Sequence, residues 1–313
     1  IAGPIVHHKD LMPQFAKNSN LRIDIDNISL GLFIFCIGLV KKVLVADNLG
    51  QWANAGYASE SMLTICDAWA TSLLYSMQLY FDFSGYSDMA IGLGLMFNIL
   101  LPVNFNSPYR ATNIQEFWRR WHMTLSRWLR DYIYIPLGGK RAAVPRIYVN
   151  LFVTFLIGGI WHGAGWTFVV WGALHGAAVV VHRRWRELAL RLPDWLGWAL
   201  TLIFVNFAWV LFRAKDMAAA QRMLASMLGL AGTGWGLPGS ALLPKESLLC
   251  LGIAGAMALF PLNTQQLAGL APGARRIRFR RGICAAILVG FALFYALVAQ
   301  IQNAPTQFLY FNF

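Results

Sequence analysis

The feature that most constrains this chain is the recurrence of long apolar stretches separated by short basic loops. Of its 313 residues, 58% are apolar and only 13% are charged, about half the charged fraction of an ordinary soluble domain. Its apolar stretches approach the roughly 20 residues that a helix needs to cross the hydrocarbon core of a bilayer. They are Leu63–Phe81, Tyr86–Leu101, Ile147–Trp161, Trp166–Val181, Gly197–Phe212, Ser247–Phe260 and Ile283–Ile301. The sequence therefore predicts an all-α polytopic membrane protein.

The net charge of +12 comes from basic residues in the loops between these stretches, which is the positive-inside pattern. We therefore expect no nucleic-acid partner. The loops that this pattern places in the cytoplasm are 110–146, His182–Trp195 and Arg275–Arg281. The later stretches then run outward, inward and outward again, which leaves the C-terminus outside. In this scheme Arg213, Lys215 and Arg222 lie on the outer side, against the rule.

The start of the chain bears on domain organisation. The sequence begins at Ile1, without an initiator methionine and without a charged-then-apolar signal segment. No repeat of fixed period and no low-complexity linker divides it. We expect residues 1–313 to form a single transmembrane domain. We also expect this domain to be the C-terminal portion of a longer chain whose N-terminal helices are absent.

His162 lies between two membrane-grade runs, Ile147–Ile160 and Trp166–Val181. If both flanks are cytoplasmic, the runs form a hairpin with His162 at its tip. Each arm has about 15 residues, or roughly 22 Å at 1.5 Å per residue, so the tip would lie inside the ~30 Å hydrocarbon core. Irregular backbone at that depth is buried in protein or lines a wet cavity, and an ionisable group there marks a functional site. The alternative is a histidine bonded to a backbone carbonyl inside the bundle.

The segment Asn113–Asp131 is dense in aromatic and basic residues. On one continuous helix its aromatic side chains would share a face. Its basic stripe consists of Arg120, Arg127 and Arg130. One interpretation is an interfacial amphipathic helix with arginines on lipid phosphates. The other is that His122 faces His162 and that the arginines bind an anionic donor, such as a nucleotide or pantetheine phosphate. The residues assigned to that donor are Arg119, Arg120 and Arg127.

Three further features complete the candidates. Tyr80–Asp88 is predicted to be a loop, with Asp82 and Asp88 either capping helix ends or lining the mouth of a cavity. His175 follows His162 by 13 residues, about 220° around and roughly 20 Å along one continuous helix, so the two could not share a site on such a helix. The sequence contains no zinc-binding spacing and no GxSxG serine elbow, and we predict no metal site.

Five motifs in order resemble the membrane-bound O-acyltransferase superfamily, and within it the bacterial alginate O-acetyltransferases. These motifs are Tyr80–Asp88, Phe105–Tyr109, Phe117–His122, Tyr132–Gly139 and Trp161–Gly163. The resemblance implies a ring of transmembrane helices around a tunnel. It also implies that His162 is the catalytic histidine and that His122 occupies a second polar position. We expect His162 to deprotonate the acceptor hydroxyl while His122 orients the acyl carbonyl or His162; a covalent acyl-histidine is the alternative.

The same resemblance implies acyl transfer, in a bacterial inner membrane, from a cytoplasmic thioester to a hydroxyl reached from the other side. The expected donor is acetyl-CoA, which acts as a substrate, and no cofactor is expected to stay bound. The expected partners are membrane lipid, periplasmic acetyltransferase proteins and an exopolysaccharide acceptor. Two alternatives stay open. One is D-alanyl transfer from a carrier-protein thioester, and the other is a non-enzymatic channel or transporter.

Overall fold

The computed structural model describes residues 4–236, 242–270 and 283–302, and these residues form helices without a β-strand. The predicted all-α architecture is confirmed, whereas the closed ring around a tunnel stays a prediction. The predicted cytoplasmic loop Arg275–Arg281 and the C-terminal end lie outside the described residues. The α-helices are α1 (His8–Phe15), α2 (Ile25–Val40), α3 (Asp47–Ala58), α4 (Ile65–Met96), α5 (Ile114–Trp118), α6 (Met123–Leu129), α7 (Val144–His162), α8 (Trp166–Glu187), α9 (Asp194–Arg213), α10 (Met217–Met227), α11 (Lys245–Leu259), α12 (Thr264–Leu267) and α13 (Ile283–Gln302).

Within the described ranges, three helical segments are long and apolar enough to cross a bilayer, judged by length and composition. They are Ile25–Ala58, Val144–His162 and Asp194–Arg213. The first consists of α2 and α3 joined by a π-helical turn, Lys41–Ala46. The other predicted apolar stretches lie mainly in helices, namely in α4, α8, α11 and α13, although Tyr86–Leu101 continues past the end of α4 at Met96. These elements agree with a helical membrane protein.

The longest helix, α4, passes straight through the segment that the sequence predicts as a loop. All of Tyr80–Asp88 is helical, so that prediction is wrong, and neither carboxylate caps a helix end. Instead the carboxylates face lysines of the π-helical turn. Lys42 Nζ lies 2.7 Å from Asp82 Oδ1, and Lys41 Nζ lies 2.6 Å from Asp88 Oδ2. Because a lysine of the π-helical turn neutralises each carboxylate, α4 can continue through Asp82 and Asp88 without exposing them to water.

A close approach of two helices makes these ion pairs possible. A Cβ atom added to Gly38 would lie 2.5 Å from the carbonyl oxygen of Gly85, and one added to Gly31 would lie 2.5 Å from that of Gly92. Small residues at helix interfaces let the backbones pack closely in membranes. The glycines therefore set the distance across which the lysines reach the carboxylates.

Helices α7 and α8 form the predicted hairpin, joined by the turn Gly163–Gly165. Their backbones touch, since a Cβ on Gly159 would lie 2.4 Å from the carbonyl oxygen of Phe168. The arms have 19 and 22 residues, about 28 and 33 Å at 1.5 Å per residue. The prediction of short arms is therefore wrong, because both helices continue past their apolar runs into the basic flanks. The depth of the tip does not follow from arm length.

Candidate active site

His162 is the last residue of α7, and only 7% of its surface is exposed. Its ring centroid lies 5.0 Å from that of Trp161, 5.2 Å from that of Trp171 and 5.1 Å from that of Phe212. Phe212 belongs to α9, so a third helix covers the tip of the hairpin. Packing against α9, rather than the length of the arms, buries this histidine.

His122 lies where the predicted continuous helix breaks. The chain forms α5, turns, and restarts as α6, with His122 at the N-cap in the left-handed region at φ 42°. Two backbone hydrogen bonds hold the break against residues 104–106: Asn106 N donates to Arg120 O at 2.9 Å, and Met123 N donates to Asn104 O at 2.9 Å. The continuous amphipathic helix is therefore a wrong prediction, because pairing with a distant segment replaces the local helical bonds.

The break also changes where the aromatic residues of this segment lie. Phe117 is 1% exposed and Trp121 is 4% exposed, and both belong to the main hydrophobic core. They pack on each other with stacked rings 5.7 Å apart. An interfacial helix would leave such side chains in the headgroup zone. In the structure, both side chains instead pack in the hydrophobic core of the fold.

A hydrogen bond fixes the tautomer of His122. Its Nδ1 lies 3.0 Å from Asn104 Oδ1, which also accepts from the backbone N–H and the hydroxyl of Thr124, at 3.2 and 2.9 Å. An amide oxygen can only accept, so Nδ1 carries the proton and Nε2 carries the lone pair. The ring is further held by Phe83, edge to face at 4.7 Å between centroids.

The structure brings His122 and His162 to one small cavity. Its walls are Leu79, Phe83, Trp118, Trp121, Leu125, Trp171, Trp209 and Phe212 together with the two histidines. Its free volume is about 10 Å³, roughly what one water molecule needs. Apart from the histidines, the polar atoms on these walls are indole N–H groups. Of these, Trp171 Nε1 is buried and has no hydrogen-bond partner among the described residues.

His175, which sequence reasoning set apart from His162, belongs to the same aromatic cluster. It is fully buried and accepts a hydrogen bond at Nδ1 from the Trp118 indole N–H at 3.2 Å. The Trp171 ring lies between the two histidines, 5.2 Å from His162 and 4.7 Å from His175. The exclusion assumed one continuous helix, whereas the chain reverses at Gly163–Gly165. The hairpin inferred from the charged flanks was itself the signal that could have brought them together.

The three arginines assigned to a donor differ in their surroundings. Arg120 pairs with Glu116 at 2.7 Å and also donates to Asn106 O at 3.1 Å. Arg127 pairs with Asp10 at 2.6 Å. Arg119 is exposed and has no carboxylate within salt-bridge distance among the described residues. The three donor candidates therefore do not form one uniform set of cations, because Arg120 and Arg127 are held by acids.

Glu116 keeps its pairing with Arg120 at neutral pH. Partial burial tends to raise its pKa, but the Thr112 N–H and the Arg120 guanidinium outweigh burial and hold the pKa below its usual value. The carboxylate therefore stays ionised. The Glu116–Arg120 ion pair therefore links α5 to the non-helical turn that precedes His122.

A basic groove lies at the end of α8 away from the hairpin tip. Its volume is about 370 Å³. Its lining includes Gln115, Tyr134, His182, Arg183, Arg186 and Glu187. Arg186 donates to Gln115 at 3.2 Å, and Arg119 lies within electrostatic reach of His182. Sequence reasoning missed Arg183 and Arg186 as binding candidates, although it used their charge to assign sidedness.

The described part of the chain contains no group of three or more His, Cys, Asp or Glu side chains that could hold a metal ion.

The sequence places these elements in a known family. Residues 1–219 match the membrane-bound O-acyltransferase (MBOAT) family. The chain belongs to this family, as the five motifs predicted, and the family confirms that it is a membrane protein. The roles of individual side chains stay predictions.

Three curated relatives illustrate the range of the similarity. Over 236 residues the chain is 57% identical to the peptidoglycan O-acetyltransferase of Helicobacter pylori, covering 74% of this chain and 45% of that protein. Over 228 residues it is 47% identical to the probable alginate O-acetylase of Pseudomonas aeruginosa, covering 72% and 43%. Over 229 residues it is 34% identical to the teichoic acid D-alanyltransferase of Bacillus subtilis, covering 68% and 58%. The chain thus spans about half the length of the relatives it matches.

Proposed function

We propose that this chain carries the acyl-transfer site of a multi-pass O-acyltransferase of the bacterial inner membrane. It moves an acetyl group from a cytoplasmic thioester, acetyl-CoA, to a hydroxyl of an exopolysaccharide or cell-envelope polymer. The observation that carries the proposal is the pair His122 and His162 on the walls of one small aromatic cavity. Membership of the O-acyltransferase family supports the reaction class.

The proposed chemistry needs a base, an orienting group and a dry site. His162 takes the proton of the acceptor hydroxyl, and the hydroxyl oxygen attacks the thioester carbonyl carbon. The C–S bond then breaks and the thiol leaves with a proton. His122, oriented through Asn104, positions the acyl group or His162. The unpartnered Trp171 N–H can donate to the carbonyl oxygen as negative charge develops there. An acyl-histidine at His162 is the covalent variant of the same scheme.

The basic groove at the far end of α8 is a suitable place for the donor phosphates. His182 lies 11 residues beyond Trp171, about 16 Å along the helix, a distance that an extended pantetheine arm spans. Arg186 and the exposed Arg119 would hold the phosphates, while Arg183 lies beside them in its ion pair with Glu187. Arg120 and Arg127 act instead through their ion pairs, which hold the chain around His122 in place.

The acceptor and the partners are proposed from the relatives. Those with the highest identity quoted above carry names that specify O-acetylation of peptidoglycan or alginate. We propose an acidic or cell-envelope polysaccharide as the final acceptor, reached through periplasmic acetyltransferase proteins, with membrane lipid around the helices. D-alanyl transfer from a carrier protein is the second candidate. It is favoured by the 34% identity to a teichoic acid D-alanyltransferase.

The test uses the full-length protein in membrane vesicles. His162→Ala should reduce O-acetyl transfer by at least about 10²-fold, the lower end of what a positioned general base contributes. His8→Ala, which changes an exposed histidine outside the cavity, should leave transfer unchanged. Acetyl-CoA and a D-alanyl carrier protein are compared as donors. An active His162→Ala protein would contradict the assignment, and turnover with the carrier protein alone would favour the second candidate.

A further inference from the structure

A polar pocket at the C-terminal end of α9 plays no part in the proposed chemistry. Its volume is about 320 Å³. Three cations, Arg213, Lys215 and Arg222, are among the residues that line it, and the described part of the lining includes no aspartate or glutamate. We call it the Arg213 pocket. A cleft lined by one sign of charge attracts ions of the opposite sign, so this pocket suits an anion.

Helix geometry by itself accounts for only one of these cations. A basic side chain at the C-terminal end of a helix is stabilised by the helix dipole, and Arg213 is the last residue of α9. Lys215 follows α9, and Arg222 belongs to α10. Asp216, the nearest acid in sequence, accepts a hydrogen bond from the Ala219 N–H at 2.7 Å and caps α10. In the described part of the chain, none of the three cations lies within salt-bridge distance of a carboxylate.

Arg213 is fixed in place and still has an unused hydrogen-bond donor. Its Nη2 donates to Asn54 Oδ1 at 2.7 Å, and its guanidinium carbon lies 5.3 Å from the ring centre of Tyr57 and 5.9 Å from that of Tyr75. Its Nε is buried and has no hydrogen-bond partner in the described structure. A buried charged donor without an acceptor is costly. A bound oxyanion would supply that acceptor, and guanidinium groups match phosphate in shape and hydrogen bonding.

The pocket lies at the end of two candidate membrane spans. The span Ile25–Ala58 ends at a residue that lines the pocket, and so does the span Asp194–Arg213. Because both spans reach the pocket with their C-terminal ends, we expect it at a membrane surface, in the headgroup region of the bilayer. The sidedness predicted from the loops makes this the outer surface, where the positive-inside rule gives no reason for basic residues. A phosphate ligand would give such a reason.

Exposed apolar side chains lie beside the lining of the pocket. Ser226 lines the pocket, and its Oγ lies 3.8 Å from Sδ of Met62, which is an exposed residue. Leu228, two residues beyond Ser226, is exposed as well. A phosphate held in the pocket would therefore have apolar surface next to it. Inorganic phosphate cannot use that surface, whereas the acyl chains of a lipid can.

The lining also favours one class of lipid headgroup. The ammonium group of a zwitterionic phospholipid would meet three cations and no carboxylate among the described residues of the pocket. The hydroxyls of a polyol headgroup would instead meet Asn54, Ser59 and Ser61, whose amide and hydroxyl groups can donate and accept hydrogen bonds. The volume is at the small end of the range of ligand pockets, which suits a phosphate with a glycerol attached.

We propose that the Arg213 pocket binds the phosphate of an anionic phospholipid whose headgroup carries hydroxyls. The acyl chains of this lipid lie against the exposed apolar side chains beside the pocket. The proposal concerns lipid binding at one defined site, and it is independent of the proposed acyl transfer.

The experiment measures lipid binding to the full-length protein in a neutral detergent by native mass spectrometry. The probes are dioleoyl phosphatidylglycerol and dioleoyl phosphatidylcholine, which share their acyl chains and differ in the headgroup. The first variant is Lys215→Gln/Arg222→Gln, which leaves the packed Arg213 unaltered. Arg213→Lys keeps the charge but removes the buried Nε donor. The matched control is Lys9→Gln/Lys245→Gln, which removes two exposed cations that do not line the pocket.

Phosphatidylglycerol should bind the unaltered protein at least about tenfold more tightly than phosphatidylcholine. The Lys215→Gln/Arg222→Gln protein should lose that preference, in line with what two basic side chains contribute to the attraction of anionic lipid. Arg213→Lys should weaken the binding of phosphatidylglycerol by a similar factor, as expected for the loss of a hydrogen bond to a charged group. The Lys9→Gln/Lys245→Gln control should bind both lipids as the unaltered protein does.

Equal binding of the two lipids would overturn the proposal, as would unchanged binding of phosphatidylglycerol to either pocket variant. Competition tests the other possible occupants. Inorganic phosphate at the same concentration should not displace phosphatidylglycerol, and displacement would assign the pocket to a free anion instead. A polyglutamate peptide should not displace it either, and displacement would assign the pocket to an acidic protein partner.

Discussion

Lys42 offers the sharpest test of what holds the membrane helices together. It lies midway along the candidate span Ile25–Ala58, and its Nζ lies 2.6 Å from Asp47 Oδ1 and 2.7 Å from Asp82 Oδ1. The side chains of Lys42 and Asp82 are only 5% and 3% exposed. Lys42→Met would therefore leave two carboxylates facing each other without their shared cation.

The structure sets the size of the effect. Breaking a buried ion pair by removing one partner costs about 3–5 kcal/mol, because the other charge stays buried and uncompensated. With two carboxylates losing one cation, we expect Lys42→Met to lie at the upper end of that range. Replacing a buried pair by apolar side chains is often nearly neutral, so Lys42→Met/Asp82→Leu should recover at least half of the loss.

The free energy of unfolding should be measured by steric trapping in mixed micelles for the unaltered protein and both variants. Arg183→Met is the matched control, because the Arg183–Glu187 pair is 37% and 31% exposed and should contribute less than about 1 kcal/mol. A cost for Lys42→Met no larger than that of the control would refute the reasoning. It would mean that water reaches Lys42 and its carboxylates.

Three further predictions concern the site and its frame. Asn104→Leu should cost about 3 kcal/mol of unfolding free energy, since it leaves three buried donors unpaired at about 1 kcal/mol each; it should also lower kcat for O-acetyl transfer by releasing the tautomer of His122. Gly159→Ala should cost about 1–3 kcal/mol through overpacking, measured in the same unfolding assay. For Glu116, the lowered folded-state pKa stabilises the fold above the ordinary carboxyl pKa, and this contribution is lost as pH falls through the folded value; Glu116→Gln should therefore flatten the acid limb of the stability profile.

For each of these three predictions, one experimental outcome would contradict the reasoning. An Asn104→Leu protein with unchanged kcat would show that the tautomer of His122 does not matter. Gly252→Ala is the control for the glycine variant, because a Cβ there meets nothing within 4 Å, and equal effects of the two would argue against a tight hairpin. An acid limb that is the same with and without Glu116 would remove the carboxylate from the pH argument.

The hairpin and its histidine were predictable because their signals are local. Apolar runs give the two helices, and charged loops on both flanks require the chain to turn back near His162. The two glycines of the turn mark the place. What the sequence could not supply was the reason for burial, since Phe212 covers the histidine from a helix 50 residues further along.

The errors arose where distant segments override local preference. Nothing in the local sequence marks a left-handed residue at His122, because no glycine or proline stands there; the break depends on pairing with residues 104–106. Likewise, two aspartates between apolar runs, Asp82 and Asp88, indicate a loop when only the neighbouring sequence is considered. They stay helical because Lys42 and Lys41 neutralise them from 40 and 47 residues away in sequence.

The tightness of the histidine cavity has a consequence for the cell. A passage open at once to both faces of the membrane would conduct ions and dissipate the proton gradient across it. With a free volume of about 10 Å³ between aromatic walls, the cavity leaves no room for a continuous file of water molecules. If the proposed transfer takes place here, side chains such as Phe212 and Trp171 have to move to admit each acyl group. Between turnovers of that proposed reaction, the closed aromatic walls would keep the bilayer insulating.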